Sequence, residues 1–277
     1  MDALRRRLQR SEKISIIAVL LLLVGACAID YHVGGDIALY ATSAVIAVIF
    51  VLVIYDRRRI PEETHQRLKN ESAQLESLMS LHFSLQSDTP PLPDTRGWAA
   101  SPDFLKLTAS LIHQEQPNLI VEAGSGVSTI VCGRILRRRS GRVTSLEHER
   151  TYKEKNSRLV EGHGLSETCN VRHTPLVSQK INGEMWQWYD LDRLRFDYPI
   201  DFLLIDGPPT DVQGLSRYPA LPLLFEKMGE NAFIVLDDGD RDEESQIVQR
   251  WTTEYPSLSA TYHPLEKGAF VLRREDE

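Results

Sequence analysis

Short apolar runs alternate with amphipathic segments along most of this 277-residue chain, which predicts an α/β fold. The expected architecture is a doubly wound, mostly parallel sheet with an antiparallel edge strand, preceded by two transmembrane helices. Three observations predict it: the alternation begins at Pro102, the apolar runs end in acidic or glycine-rich turns, and two long uncharged runs stand ahead of them.

The first uncharged run is "ISIIAVLLLLVGACAI" from Ile14, and the second is "IALYATSAVIAVIFVLVIY" from Ile37 to Tyr55. At about 1.5 Å per residue the second reaches roughly 28 Å, the thickness of a bilayer's hydrocarbon. Residues 1–59 are therefore expected to form a membrane hairpin, with spans near 14–31 and 37–55. Basic residues precede the first span ("RRRLQRSEK") and follow the second ("DRRR"), and none lies between them. By the positive-inside tendency, the protein is expected in the membrane with its large domain facing the cytoplasm. A cleaved signal peptide at the first run is the alternative.

Residues 60–94 read as a linker. Leu68, Leu75, Leu78, Met79 and Leu85 recur at helical spacing, and "SDTPPLPDTRGW" then breaks the helix. A packed linker helix is expected. A short coiled coil joining two copies into a homodimer is the alternative, interrupted at Glu71 and His82.

From there to residue 277 the elements follow in order. "DFLKLTASLIHQEQP" is a helix, "NLIVEAG" a strand, "STIVCGRILRRR" a helix, "GRVTSLEHE" a strand, "TYKEKNSRLVEGHG" a helix and "CNVRHTPL" a strand. An irregular aromatic stretch holding Trp186, Trp188 and Tyr189 leads to the strand "DFLLIDGPP". The helix around "YPALPLLFEKM", the strand "NAFIVLDDGD" and the helix "EESQIVQRWTTEY" come next. "LSATYHPLE" and "GAFVLRR" close the pattern as a hairpin-like pair. Such sheets bind ligands beyond the carboxyl ends of their strands. Glu122, Glu147, Asp206, Asp237 and Asp238 all fall at those ends.

The charge balance narrows the partners. Beyond residue 59 there are 24 basic and 34 acidic residues, so the main domain is acidic and no nucleic-acid partner is expected. The three cysteines, Cys27, Cys132 and Cys169, form no CxxC pair and suggest neither a disulfide framework nor a zinc site.

In "VEAGSGVST", Gly124 and Gly126 allow a tight turn and a close ligand approach. The helix start at Ser128 and Thr129 offers free N–H groups to an anionic group. Glu147 ends the following strand, 21 residues beyond Gly126, where an acid can bond both ribose hydroxyls. The third glycine of G-x-G-x-x-G is replaced by Thr129, so the dinucleotide fingerprint is incomplete. The motif points to a nucleoside-bearing cofactor.

The order "VEAGSGVST", "VTSLEHE", "FLLIDGPP", "IVLDDGD" resembles the class I S-adenosylmethionine-dependent methyltransferases, a Rossmann-like fold, over residues 95–277. It is most similar to the branch of catechol-type and of cephalosporin- or rhamnosyl-type O-methyltransferases. The resemblance implies that Gly124, Ser125 and Gly126 pass under the methionine part of S-adenosylmethionine, with Ser128, Thr129 and His148 as further contacts. It implies that Glu122 holds the amino group and Glu147 the ribose. "TRGWAAS" is similar to the lid, which makes Trp98 and Ser101 contact candidates.

Transfer to a hydroxyl needs alignment and a deprotonated acceptor, and a divalent cation can lower the acceptor's pKa. Asp206, Asp237 and Asp238 are oxygen donors of the kind Mg2+ takes. Metal-dependent members carry acids at these positions, so all three are expected metal ligands, with Asp206 and Asp237 catalytic. The base lysine of the catechol-type enzymes is replaced by Pro209. Asp240 and His148 are candidates for its role, and Arg217 for an anion clamp on the acceptor. Ordinary turn chemistry also explains Asp237 and Asp238-Gly239.

The expected activity is methylation of a small-molecule, sugar or lipid-linked hydroxyl at the membrane face. An NAD(P)-dependent oxidoreductase or epimerase, and a non-catalytic cofactor-binding protein, are the alternatives.

Overall fold

The computed structural model of the protein describes residues 62–85, 90–192, 194–196 and 198–274. Among them no helix is long and apolar enough to cross a membrane. This corrects the expected localisation: a two-span membrane protein is not supported, and the runs at 14–31 and 37–55 that suggested it lie outside the described residues. The chain divides into two compact units, Met1–Lys69 and Asn70–Glu277. The second carries the site.

Helix α1 spans residues 62–85, and within the second unit its buried face is not the apolar stripe expected. Leu75, Leu78 and Met79 are exposed, while Gln74, Ser77, Leu81 and Leu85 are buried. The reason is a polar partner. Gln74 Nε2 donates to Asp103 Oδ2 at 2.7 Å, and Asp103 N donates to Gln74 Oε1 at 3.2 Å. Leu81 and Leu85 then reach the core.

The remaining elements are α2 (Pro102–Glu115), β1 (Leu119–Ala123), α3 (Val127–Leu136), β2 (Arg142–Glu147), α4 (Arg150–Gly162) and β3 (Cys169–His173). A hairpin of β4 (Leu176–Ile181) and β5 (Glu184–Tyr189) follows, then β6 (Ile200–Ile205) and α5 (Ala220–Leu224). The last are β7 (Met228–Asp237), α6 (Asp242–Glu254), β8 (Leu258–His263) and β9 (Ala269–Arg274). Seven strands form one sheet in the order β3-β2-β1-β6-β7-β9-β8. β3, β2, β1, β6 and β7 are parallel, and β9 runs antiparallel to both β7 and β8. The strand order reverses between β1 and β6, which puts the ligand crevice beside their carboxyl ends.

Both faces of the sheet are buried, as continuous apolar strands require. Along β6, Phe202 and Leu204 join the core on one side with Ile120, Val143 and Val235. Leu203 and Ile205 join the other with Val121, Ile234 and Leu236. Phe202 stacks on Phe233 with ring centroids 4.3 Å apart. Each such side chain taken from water stabilises the fold by about 1.5–3 kcal/mol.

The aromatic stretch expected to be irregular is the β4–β5 hairpin, turned by Asn182 (φ 51°) and Gly183 (φ 88°). Positive φ at both turn residues is the conformation that Asn-Gly favours between two strands. The hairpin seals the second core. Trp188 and Tyr189 are almost wholly buried, and Trp186 packs on Tyr218 at 4.7 Å beneath the guanidinium of Arg250.

Candidate active site

The glycine loop between β1 and α3 is tied to both neighbouring strands. Gly124 N donates to Leu146 O at 3.0 Å, and Asp206 N donates to Ala123 O at 3.0 Å. Gly124 has φ 111°, where a side chain is strained, and a Cβ there would lie 3.7 Å from the Asp206–Gly207 backbone. Gly124, Ser125 and Gly126 are the partly exposed residues of the loop and so form its open surface.

Ser128, Thr129 and Glu122 face inward instead. The Glu122 carboxylate, on a residue only 1% exposed, accepts hydrogen bonds from Thr129 Oγ1 and Ser145 Oγ, each at 2.6 Å, and from Ser128 Oγ. Thr129 Oγ1 also accepts from Gly126 N at 3.1 Å, closing the helix start. Burial pushes the Glu122 carboxyl up, and the three hydroxyls pull against that. The Ser128, Thr129 and Glu122 side chains, expected to contact the cofactor, bond to one another and to Ser145 behind the loop. Glu122 fixes the loop from behind, and α3 offers a ligand its backbone N–H groups.

Glu147 is differently placed. It accepts from Ser125 Oγ at 2.7 Å and from Glu149 N at 3.1 Å, so the β2 tip and the glycine loop form one unit. Asn156 of α4 braces the same serine, donating to its carbonyl at 3.1 Å and its hydroxyl at 2.8 Å. Burial pushes the Glu147 carboxyl up, but His148, Ser125 and the Glu149 N–H outweigh it and hold it below the usual range. His148 Nδ1 stands 3.4 Å from Glu147 Oε1, an ion-pair distance without hydrogen-bond geometry. Glu147 in turn raises the His148 pKa, and the ring meets Tyr189 edge to face.

Across the crevice, β6 and β7 bring Asp206, Asp237 and Asp238 together, with one carboxylate oxygen of each within 4.8 Å of the others. Asp237 is 1% exposed, and its Oδ1 accepts from Asp238 N at 2.8 Å. Asp238 adopts φ 59°, which swings it back toward β6. Gly239 is required next, because a Cβ there would lie 2.9 Å from Ala269 N. Asp206 is the most open of the three, its side chain 27% exposed. Burial pushes its carboxyl up to about 6, against the pull of Arg217.

Arg217 is the participant that sequence reasoning misplaced. Its side chain is 3% exposed, and it lies among the carboxylates where an anion clamp would have to face an acceptor. Nη2 donates to Asp238 Oδ2 at 2.7 Å and Asp206 O at 3.0 Å, and stands 3.4 Å from Asp206 Oδ1. Nη1 donates to Asp237 O at 2.9 Å and lies 3.4 Å from Glu244 Oε1. Arg241 reaches Asp238 Oδ2 from outside at 2.9 Å. Magnesium draws oxygens to about 2.0–2.1 Å. Shared between Asp206 and Asp238, it would crowd the buried guanidinium. The guanidinium already pairs with two of the three expected ligands, and the third, Asp237, keeps Oδ2 without a hydrogen-bond partner among the described residues.

Other expected contacts fall elsewhere. Ser101 is fully buried and donates to Asp103 Oδ1 at the start of α2. Trp98 is 96% exposed on a turn that Lys267 holds through Gly97 O (2.8 Å) and Ala99 O (3.2 Å). Trp186, Trp188 and Tyr189 pack in the core. Of these, Tyr189 alone borders the crevice: a Cβ at Gly207 would stand 2.5 Å from its hydroxyl. Asp240 accepts from Tyr262 Oη and packs against Gly268.

Residues 121–239, from β1 to the turn after β7, match a family model described as a methyltransferase domain. No curated protein matches the chain. Among solved structures, the SAH-bound methyltransferase PaMTH1 of Podospora anserina is similar at 14% identity and a TM-score of 0.51, covering 78% of this chain and 97% of that one. The O-methyltransferase of Bacillus cereus in complex with SAH is 19% identical, with 74% and 91% covered and a TM-score of 0.49. TomG of Streptomyces achromogenes, an O-methyltransferase of tomaymycin synthesis in complex with SAM, is 18% identical, with 74% and 90% covered and a TM-score of 0.48. With its matched domain on this strand order, the chain carries a methyltransferase domain on the class I fold of the S-adenosylmethionine-dependent enzymes.

Proposed function

We propose that this enzyme moves the methyl group of S-adenosylmethionine to a hydroxyl oxygen of a small-molecule acceptor. The observation that carries the reading is the joined unit of Glu147 and the Gly124–Gly126 loop, held by the 2.7 Å bond from Ser125. A carboxylate kept ionised at the tip of β2 can accept from both ribose hydroxyls, while the loop backbone passes close to the rest of the cofactor. His148, backed edge to face by the buried ring of Tyr189, supplies a ring surface beside it.

Transfer breaks the S–CH3 bond, forms an O–CH3 bond and frees the hydroxyl proton. Asp206 stands at the tip of the neighbouring strand, partly open, with its pKa near 6. In its ionised form it takes that proton, the role left vacant by Pro209. Asp237 and Asp238 lie behind it and shape its position. Displacement needs the acceptor oxygen in line with the sulfur, and this positioning supplies roughly 7–11 kcal/mol in favourable cases. The acidic domain surface fits a neutral or cationic acceptor.

Calorimetry of the full chain with S-adenosylhomocysteine and with NAD tests the reading. S-adenosylhomocysteine should bind, and Glu147→Ala should weaken it at least tenfold, about 1.4 kcal/mol. Binding of NAD in its place overturns the proposal.

A further inference from the structure

Of the three carboxylates at the β6 and β7 tips, Asp238 and Asp206 share the Arg217 guanidinium. Asp237 accepts from Asp238 N through Oδ1 and keeps Oδ2 without a hydrogen-bond partner among the described residues. Arg217 bonds the main-chain carbonyls of both strand ends, Asp206 O and Asp237 O, as well as the Asp238 carboxylate. Its position is thus set by the sheet and not only by charge. The segment that delivers it is equally fixed. Leu215, at φ 53°, donates its N–H to Glu243 at 3.0 Å, and Ser216 Oγ donates to Pro208 O at 3.0 Å. The guanidinium stands between Asp206 and Asp238, with Nη2 3.4 Å from Asp206 Oδ1 and 2.7 Å from Asp238 Oδ2.

We propose that Arg217 is a built-in cation that takes the place of a divalent metal, so that methyl transfer at this crevice proceeds metal-free. Arg217 is a positioning residue: it fixes the two strand tips and keeps Asp206 on the acceptor side. The claim about acceptor chemistry rests on the function proposed above; the claim about metal does not.

The test is a titration of the full chain with Mn2+ alone, read by the electron paramagnetic resonance of free Mn2+. The wild type and Arg217→Lys should leave the ion free. Arg217→Met should gain a site at the vacated position, raising Mn2+ affinity roughly 10–100-fold, the range that changes around a metal site produce. Adding Asp238→Asn to the Met variant should abolish the gain. One Mn2+ per wild-type chain, lost in Asp206→Asn, overturns the proposal, as does a folded Met variant that gains nothing. If the Met variant does not fold, wild type and Arg217→Lys decide: no uptake by either supports the proposal, and uptake by either overturns it. S-adenosylhomocysteine binding on the same samples separates the two readings, since its loss would sink the cofactor assignment and leave the Mn2+ result standing.

Discussion

Glu122 at the end of β1 and Asp238 just past β7 are both carboxylates taken out of water, 1% and 4% exposed, yet they are held by opposite means. Glu122 lies in a cage of neutral hydroxyls from Ser128, Thr129 and Ser145. Asp238 lies between two guanidiniums, Arg217 and Arg241. A hydroxyl can rotate to find another acceptor, so a dipole cage degrades gradually. A buried charge whose partner is removed has no such recourse. The glycine-loop side of the crevice is therefore built to tolerate change, and the aspartate side to resist it.

The sharpest way to break this contrast is Arg217→Met. It should cost about 3–5 kcal/mol in urea unfolding, because several carboxylates lose a shared partner. Glu122→Ala should cost less, about 1–3 kcal/mol, as three hydroxyls lose an acceptor, and Glu122→Gln should recover most of it. A Gln variant as damaging as Ala would show that charge, not hydrogen bonding, holds the loop.

Asp206 sharpens the comparison through pH. Its folded pKa, about 6, lies above the ordinary 3.8, so between those values the native state holds more of the proton than the unfolded chain does. The native state therefore loses stability as pH rises from about 4 to about 6. Over that window Asp206→Asn should gain on wild type by about 1–3 kcal/mol in chemical denaturation. A flat difference would remove the strained carboxylate from the account. Glu147→Gln should weaken S-adenosylhomocysteine about tenfold while changing stability by under about 1 kcal/mol. The smallest effect belongs to the exposed Trp98: Trp98→Ala should leave stability within about 0.5 kcal/mol. Any loss of cofactor affinity in that variant would show that its turn closes over the ligand.

Strand identity was legible because a buried parallel strand is apolar on both faces and stops where the ligand begins, as "FLLID" does. The β4–β5 hairpin was also legible in principle. "INGE" carries the Asn-Gly turn between two strands, which the aromatic density of "MWQWY" obscures. Helix α1 misled for a different reason. Its most hydrophobic stripe is not its buried one, because the contact that orients it is the amide of Gln74 on Asp103, a pairing 29 residues apart. Arg217 was invisible as a counter-ion since its partners lie 11 and 21 residues away on two strands, and only the folded sheet brings them together.

The turn between β8 and β9 has a consequence for how the enzyme comes into being. Gly268 O and Lys267 O accept from Gly239 N and Asp240 N, each at 2.9 Å, Glu266 N donates to Asp103, and the Glu266 carboxylate binds Arg96 at 2.7 Å. The acidic turn, the start of α2 and the Trp98 loop are all tied to these few residues, which the ribosome adds after every other residue of the crevice. A nascent chain can therefore build the glycine loop and most of the sheet early, yet the acceptor side closes only with the last strands. Until then the glycine loop has its partners and the acidic turn after β7 does not.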